Sequence, residues 1–406
     1  MSLTRPTLLL ATNFCPPYRR PLFERLVQDH QWSQALLLFD VLQESHSTWS
    51  EGELGRGSVR MLSFSVPRWV RHPVAGYRER RDLHVPLGLL PLLLRHRPDV
   101  VISAELGVRS ALAALYARLF RRGLVLWICT TRHGEHGRSG ARRWWRRRLL
   151  ACAGAVMVNG LEGEAYVRAL APRVPAVRTD AVFRVPYTVD NQRYYRKHEE
   201  PRPVGDRIRV LVVGQLVARK GLRQLLDALR AAPDAWRALE LRFVGTGPLR
   251  RDLEALLARL VPRGLAAEAL GHVSWDALPA TYSWGDVLLF PTLDDEWGIV
   301  VNEAMAAGLA VVGSRYAGAV NELVREGETG WLFDPLDAPA FVAVLRRIAA
   351  TPRDVFHAMG QRARAAIGAY SYDAAYDRLA GAVQHAVAAR SRASDPAGPA
   401  ARGGRC

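Results

Sequence analysis

Short apolar runs alternate with longer helix-patterned segments along this chain, and they do so twice, on either side of one polar break. In the first series Thr7 to Ala11, Ala35 to Phe39, Asp99 to Ser103, Leu124 to Cys129 and Ala155 to Asn159 read as strands. Segments starting near Pro21 and spanning Leu89 to His96, Leu112 to Phe120 and Glu162 to Leu170 carry apolar residues at helical spacing. A strand that is apolar throughout must be covered on both faces, and a helix after each strand supplies that cover. The pattern therefore dictates parallel sheets flanked by helices. Tyr194 to Asp206, YYRKHEEPRPVGD, is polar, proline-bearing and aperiodic, so it reads as an interdomain connection. A second series follows, with strands at Ile208 to Val213, Leu239 to Val244, Val287 to Phe290, Ala310 to Gly313 and Gly330 to Phe333. Its helices are Leu222 to Ala231, Leu249 to Leu260 and Val301 to Ala307. The expected fold class is α/β, with two Rossmann-like parallel-sheet domains, 1–193 and 205–385, facing across a cleft. Ligands bind such sheets at the carboxyl ends of the strands. Residues 391–406 read as a disordered tail.

Composition narrows the classes of function without choosing one. Basic residues outnumber acidic ones, 56 to 39, for a formal net charge of +17, and Lys197 and Lys220 are the only lysines. An arginine excess of this size attracts phosphates, anionic lipid or nucleic acid. No nucleic-acid recognition motif accompanies it, so nucleic acid is not an expected partner. Cys15, Cys129, Cys152 and Cys406 are scattered, with no CxxC and no zinc spacing. They read as packing residues of a protein in a reducing compartment. The opening MSLTRPTLLLATNF breaks its apolar run too early for a signal peptide. The longest greasy stretch, Val85 to Leu94, is ten residues with two prolines, whereas a membrane span needs about 20. A cytoplasmic location is expected. Arg138, Arg142, Arg143, Arg146, Arg147 and Arg148 surround Trp144 and Trp145. That segment reads either as an amphipathic helix on an anionic membrane surface or as a basic helix with its tryptophans packed inward.

Chemistry concentrates in Pro291 to Gly308, PTLDDEWGIVVNEAMAAG. A buried strand is followed by an acidic loop, and Gly298, Ile299 and Val300 bring backbone N–H groups to a helix start, where anions are favoured. Glu303 stands among Ala304, Met305 and Ala306, either as a solvated helix carboxylate or as an acceptor for sugar hydroxyls. The segment resembles the signature of the retaining glycosyltransferases of the GT-B fold, glycosyltransferase family 4 (group 1) type. In these, two acidic residues separated by seven precede Ala-Met-Ala-x-Gly. Here they are Asp295 and Glu303, followed by Ala304 to Gly308, with aspartate where the family normally has glutamate.

Further motifs carry the resemblance in the same order. Val213-Gly214-Gln215-Leu216-Val217-Ala218-Arg219-Lys220-Gly221 resembles the family's strand, glycine turn and RKG loop, with Gln215 where arginine is common. Phe243 to Leu249, Gly271-His272-Val273-Ser274, Gly313 to Gly318 and Glu326 to Phe333 follow. In the first half, Pro16-Pro17-Tyr18-Arg19, the strand end Trp127 to Gly134 and Pro186-Tyr187-Thr188-Val189-Asp190 match less tightly.

The resemblance implies transfer of a sugar, with retention, from a UDP- or GDP-sugar to a hydroxyl of a glycan or lipid-linked acceptor. The setting implied is bacterial cell-surface polysaccharide or glycolipid synthesis, with peripheral attachment to the inner face of the cell membrane. It assigns the leaving diphosphate to Lys220, Arg219, Gly214 and the amides of Gly298, Ile299 and Val300. Val273 lies in the segment that holds the base, and Glu303 would hold the ribose. Asp295 would orient the sugar, and His133, with His136 as competitor, would stand beside it. No DxD motif is present, so neither a metal nor another cofactor is expected. The alternatives are a non-catalytic GT-B protein that binds nucleotide sugar, and a sugar-nucleotide epimerase.

Overall fold

The computed structural model describes residues 5–40, 57–135, 139–174, 177, 181–195 and 207–394. The first sheet contains β1 (Thr7–Thr12), β2 (Gln34–Asp40), β3 (Ser58–Met61), β6 (Val100–Ala104), β7 (Gly123–Ile128), β8 (Ala155–Val158) and β9 (Val182–Arg184). Its order is β3-β2-β1-β6-β7-β8-β9, and every pairing is parallel. The second sheet contains β10 (Ile208–Val213), β11 (Leu239–Val244), β12 (Ala266–Gly271), β13 (Val287–Phe290), β14 (Ala310–Ser314) and β15 (Gly330–Phe333). It runs β12-β11-β10-β13-β14-β15, again all parallel. The unbroken burial of Leu8 to Ala11 and of Val287 to Phe290 is the signature expected of strands covered on both faces.

In both sheets the strand order reverses beside the first strand, between β1 and β6 and between β10 and β13. Loops leaving the carboxyl ends of neighbouring strands diverge to opposite faces at such a point and open a crevice. The two domains turn these edges toward each other. Leu161 N–H donates to Glu322 Oε2 at 2.6 Å, and Asn302 Nδ2 donates to the Tyr187 carbonyl at 3.1 Å.

Two elements depart from the sequence reading. β4 (Phe64–Arg71) and β5 (Arg78–Val85) form an antiparallel hairpin inserted between β3 and β6. The helix Tyr372–Ser394 does not stay with the second domain, which the sequence placed at 205–385. Ala375, Tyr376, Leu379, Val383 and Ala386 pack on the first domain's sheet with Val100, Val125 and Ala155. Ser391–Ser394, read as the start of a tail, end this helix, and 395–406 lie outside the described residues. Most of the expected connection, 196–206, lies outside them as well.

Candidate active site

The β10–β13 switch point is held together by backbone contacts. Gly221 follows the short turn Ala218–Lys220 at φ 71°, and a Cβ there would stand 1.8 Å from the Pro291 carbonyl oxygen. Only glycine lets the two loops approach so closely. Leu293 N–H then donates to the Arg219 carbonyl at 2.8 Å, and the Arg219 guanidinium donates to the Asp294 carbonyl at 3.0 Å. These bonds bring Lys220, after β10, against Asp295, after β13, and the Lys220 ammonium donates to Asp295 Oδ2. Trp297 N–H caps the other oxygen of Asp295 at 3.4 Å. Gly298, at φ 96°, opens the helix Ile299–Ala306, and a Cβ there would meet the Phe290 ring at 2.7 Å. Gly214 turns beside this pair, with any Cβ 4.0 Å from the Lys220 stem. One strand further out, Gly245 N–H donates to the Gly271 carbonyl at 2.7 Å, which places half-buried Val273 on the same rim.

The electrostatics follow from burial opposed by pairing. Burial alone raises a carboxylic acid, but Lys220 and Arg219 together hold Asp295 below the usual carboxylate range. Burial, helped by Arg219, takes the Lys220 ammonium below the usual lysine range despite Asp295. Arg219 is pushed up, because Asp295 and Glu79 outweigh its own desolvation.

Glu303, expected to hold the ribose, stands in the helix after β13 with both carboxylate oxygens engaged. It is buried at 3% exposure, with Oε1 accepting from Tyr194 at 2.8 Å and Oε2 from Tyr282 at 2.6 Å. Desolvation raises its pKa to about 7, and the two tyrosine hydroxyls oppose the rise.

His133 does reach the cleft. Its Nε2 donates to the Leu293 carbonyl at 2.9 Å, and its ring stacks on Tyr316, with centroids 4.3 Å apart. His136 and Arg138 lie outside the described residues.

The hairpin reaches the same place, a feature the sequence reading did not anticipate. Its turn sets His72 between Tyr77 and His133, with centroids 5.1 and 4.8 Å away. The Tyr77 hydroxyl donates to Asp294 at 3.4 Å, and Glu79 pairs with Arg219 at 3.1 Å. No motif announced these residues; basic and apolar residues mixed along both strands hide the strand period.

His72, His133 and Asp294 have ligand-type atoms within 4.8 Å of one another. However, the Ala75 N–H donates to His72 Nδ1 at 3.1 Å, which puts the ring proton on Nε2, the atom facing Asp294. His133 likewise carries its proton toward a carbonyl. His72 thus turns an N–H toward Asp294, while the lone pair of His133 stays on Nδ1.

On the first domain's side, Arg19 is buried beneath the cleft. It lies 4.2 Å from the Tyr187 ring centroid and 4.6 Å from that of Trp127, and it donates to Cys129 Sγ at 3.5 Å. Burial pushes the Cys129 thiol up to about 12, so it stays protonated. Cys152, expected to pack inward, is exposed.

Two facing Rossmann-like domains, with a paired lysine and carboxylate at the switch point of the second, define the GT-B class. Residues 207–351 match the family described as glycosyl transferases group 1. The chain is 29% identical over 323 residues to an alpha-D-kanosaminyltransferase of Streptomyces kanamyceticus, covering 72% of this chain and 81% of that one. It is 33% identical over 197 residues to a GDP-mannose-dependent alpha-(1-6)-phosphatidylinositol monomannoside mannosyltransferase of Mycolicibacterium smegmatis, covering 43% and 48% of the two chains. Several curated relatives are matched over less than half their own length. Among solved structures, Anabaena Alr3699/HepE in complex with UDP superposes with a TM-score of 0.68 at 17% identity, over 93% of this chain and 99% of that one, a likeness of fold. Residues 207–351, most of the second domain, are thus similar to the group 1 glycosyl transferases, and the two-domain architecture is that of the GT-B fold.

Proposed function

We propose that the protein transfers a sugar from a UDP- or GDP-sugar to a hydroxyl of a glycan or lipid-linked acceptor, with retention at the anomeric carbon. The observation that carries this reading is the Lys220–Asp295 pair at the β10–β13 switch point, with Arg219 beside it. Negative charge grows on the leaving diphosphate as the glycosidic bond breaks, so a fixed cation in a desolvated site stabilises the transition state more than the ground state. Lys220 supplies that cation. The N–H groups of Gly298, Ile299 and Val300 at the helix start add oriented dipoles. Asp295, held ionised, accepts hydroxyls of the sugar and fixes its orientation, while His133 offers a ring edge beside it. Val273 lines the rim where the base lies, and Glu303 reaches the ribose once Tyr194 or Tyr282 yields. No metal takes part in this reading. The UDP-bound fold relative and the GDP-mannose-dependent family relative support a nucleoside-diphosphate sugar as donor. The setting proposed is cell-surface polysaccharide or glycolipid synthesis, with the protein peripheral at the inner membrane face.

The test is transfer from radiolabelled UDP- and GDP-sugars into lipid and glycan fractions, with Asp295→Asn and Lys220→Ala alongside. Label incorporated by the wild-type chain and reduced at least about a hundredfold in both variants is expected, the scale of removing one transition-state contact. Incorporation by neither fraction with any donor, or full activity in Lys220→Ala, overturns the reading.

A further inference from the structure

The outer surface of the first domain has an inverted pattern. Helix Val108–Leu119 buries Arg109, Ser110 and several alanines toward the sheet. Its exposed positions are Leu115, Arg118 and Leu119, with Leu115 at 48% and Leu119 at 67% exposure, while Ala111 and Leu112 are half-buried against the core. Leucines left open on the outer face of a helix form an apolar ridge for a partner to cover. Phe120, just past its end, is 49% exposed. Among the described residues, all but four of the large apolar side chains left exposed fall between Leu62 and Trp145.

The neighbours of this helix continue the surface. It packs against helix Leu89–His96, helix Gly140–Ala151 and strand β5 of the hairpin. Trp144 and Trp145 on Gly140–Ala151 are 57% and 43% exposed, so the tryptophans are not packed inward. Trp69 on the hairpin is 74% exposed.

Charge decides what that partner is. The three helices together carry eight arginines and neither an aspartate nor a glutamate. Arg95, Arg118, Arg143, Arg147 and Arg148 are exposed among the leucines and tryptophans. Arg148 lies over the Trp144 ring at 5.3 Å. Leucine side chains in an outward row have no use on a nucleic acid, whose recognition is by cations and base stacking. Helices without an acidic residue, exposed aromatic side chains and apolar ridges match an interface of anionic headgroups over acyl chains.

We propose that this face, centred on helix Val108–Leu119 and bounded by the Gly140–Ala151 helix and the β4–β5 hairpin, lies on an anionic lipid bilayer. The proposal rests on the reading of the acceptor as lipid-linked. It gives that reading a geometry: the hairpin that closes on the donor loops through Glu79 and Tyr77 is also the edge of the lipid-facing surface. No helix among the described residues is long and apolar enough to cross a membrane, so attachment here is lateral.

The experiment is flotation of the full chain with vesicles of phosphatidylcholine alone and of phosphatidylcholine mixed with phosphatidylglycerol. The Arg118→Ala/Arg143→Ala and Leu119→Asn/Phe120→Asn pairs are run beside the wild type. Binding to the anionic vesicles only is expected, about thirtyfold weaker without the two arginines. Loss of at least about tenfold is expected without the two apolar side chains. Failure of the wild type to bind anionic vesicles at low salt overturns the proposal, as does binding unchanged by Leu119→Asn/Phe120→Asn. A dimer in light scattering that Leu119→Asn/Phe120→Asn dissociates also overturns it, because the face then belongs to a second copy. Nucleotide-sugar binding on the same samples separates the two readings: donor bound without vesicles sinks the surface alone, and vesicles bound without donor sinks the donor site alone.

Discussion

At the scale of single residues, the site is a set of charges whose burial is offset by partners, and removing one partner exposes the cost of the other. Lys220→Ala leaves the Asp295 carboxylate buried without its ammonium, and Asp295→Ala does the reverse. Each single change is expected to lower stability by about 3 kcal/mol, whereas Lys220→Ala with Asp295→Ala together costs less than the sum. A thermal-denaturation double-mutant cycle checks this; strict additivity would show that the two do not interact. Glu303 gives a pH signature. Its pKa of about 7 in the folded state exceeds the ordinary carboxylate value, so the folded chain binds more protons than the unfolded one between the two. Stability is therefore highest in acid as far as this group is concerned, and falls as pH rises from about 5 to about 8, by on the order of 3 kcal/mol. Glu303→Gln should flatten that slope, and a slope identical in the variant would place its origin elsewhere. Family resemblance pointed to Lys220 and Asp295, and the helix start to Gly298, because each sits in one contiguous motif. It missed the capture of Glu303 by Tyr194 and Tyr282 because those tyrosines come from segments 109 and 21 residues away, and no local pattern encodes such a meeting.

At the scale of elements, the parallel strands were legible because double-sided burial leaves an unbroken apolar run. The β4–β5 hairpin was not, because it is exposed on much of both faces and so lacks the alternation that marks a half-buried strand. Yet the hairpin reaches the loops after β10 and β13. Glu79 occupies Arg219 in this structure, at 3.1 Å and with both side chains about a quarter exposed. A donor diphosphate has to share or displace that carboxylate. Glu79→Gln is accordingly expected to tighten nucleotide-sugar binding by a few-fold, the worth of a partly exposed ion pair. Isothermal titration with the matching nucleotide reads it, and unchanged or weaker binding would mean that Glu79 does not compete for Arg219.

At the scale of the whole molecule, chain order and domain membership part company at the carboxyl end. The helix Tyr372–Ser394 carries apolar residues at helical spacing like any other, so its sequence pattern says that it packs and not on which domain. The structure lays it on the first sheet, with Leu379 and Val383 fully buried and Tyr372 donating to the Tyr18 carbonyl at 2.9 Å. Leu379→Ala should cost about 2–5 kcal/mol and lower the melting temperature of the first domain's transition. A loss confined to the second domain would contradict this packing. The central claim remains that the β10–β13 switch point binds a nucleoside-diphosphate sugar through Lys220. The most direct measurement is calorimetric titration of the full chain with a panel of UDP-, GDP-, ADP- and dTDP-sugars, with Lys220→Ala in parallel and circular dichroism confirming that both are folded. The account predicts selective binding of one nucleotide class, weakened at least about tenfold in Lys220→Ala, as expected for the loss of a charged hydrogen-bond partner. A folded wild-type chain that binds none of the panel, or that binds one equally well without Lys220, would contradict it.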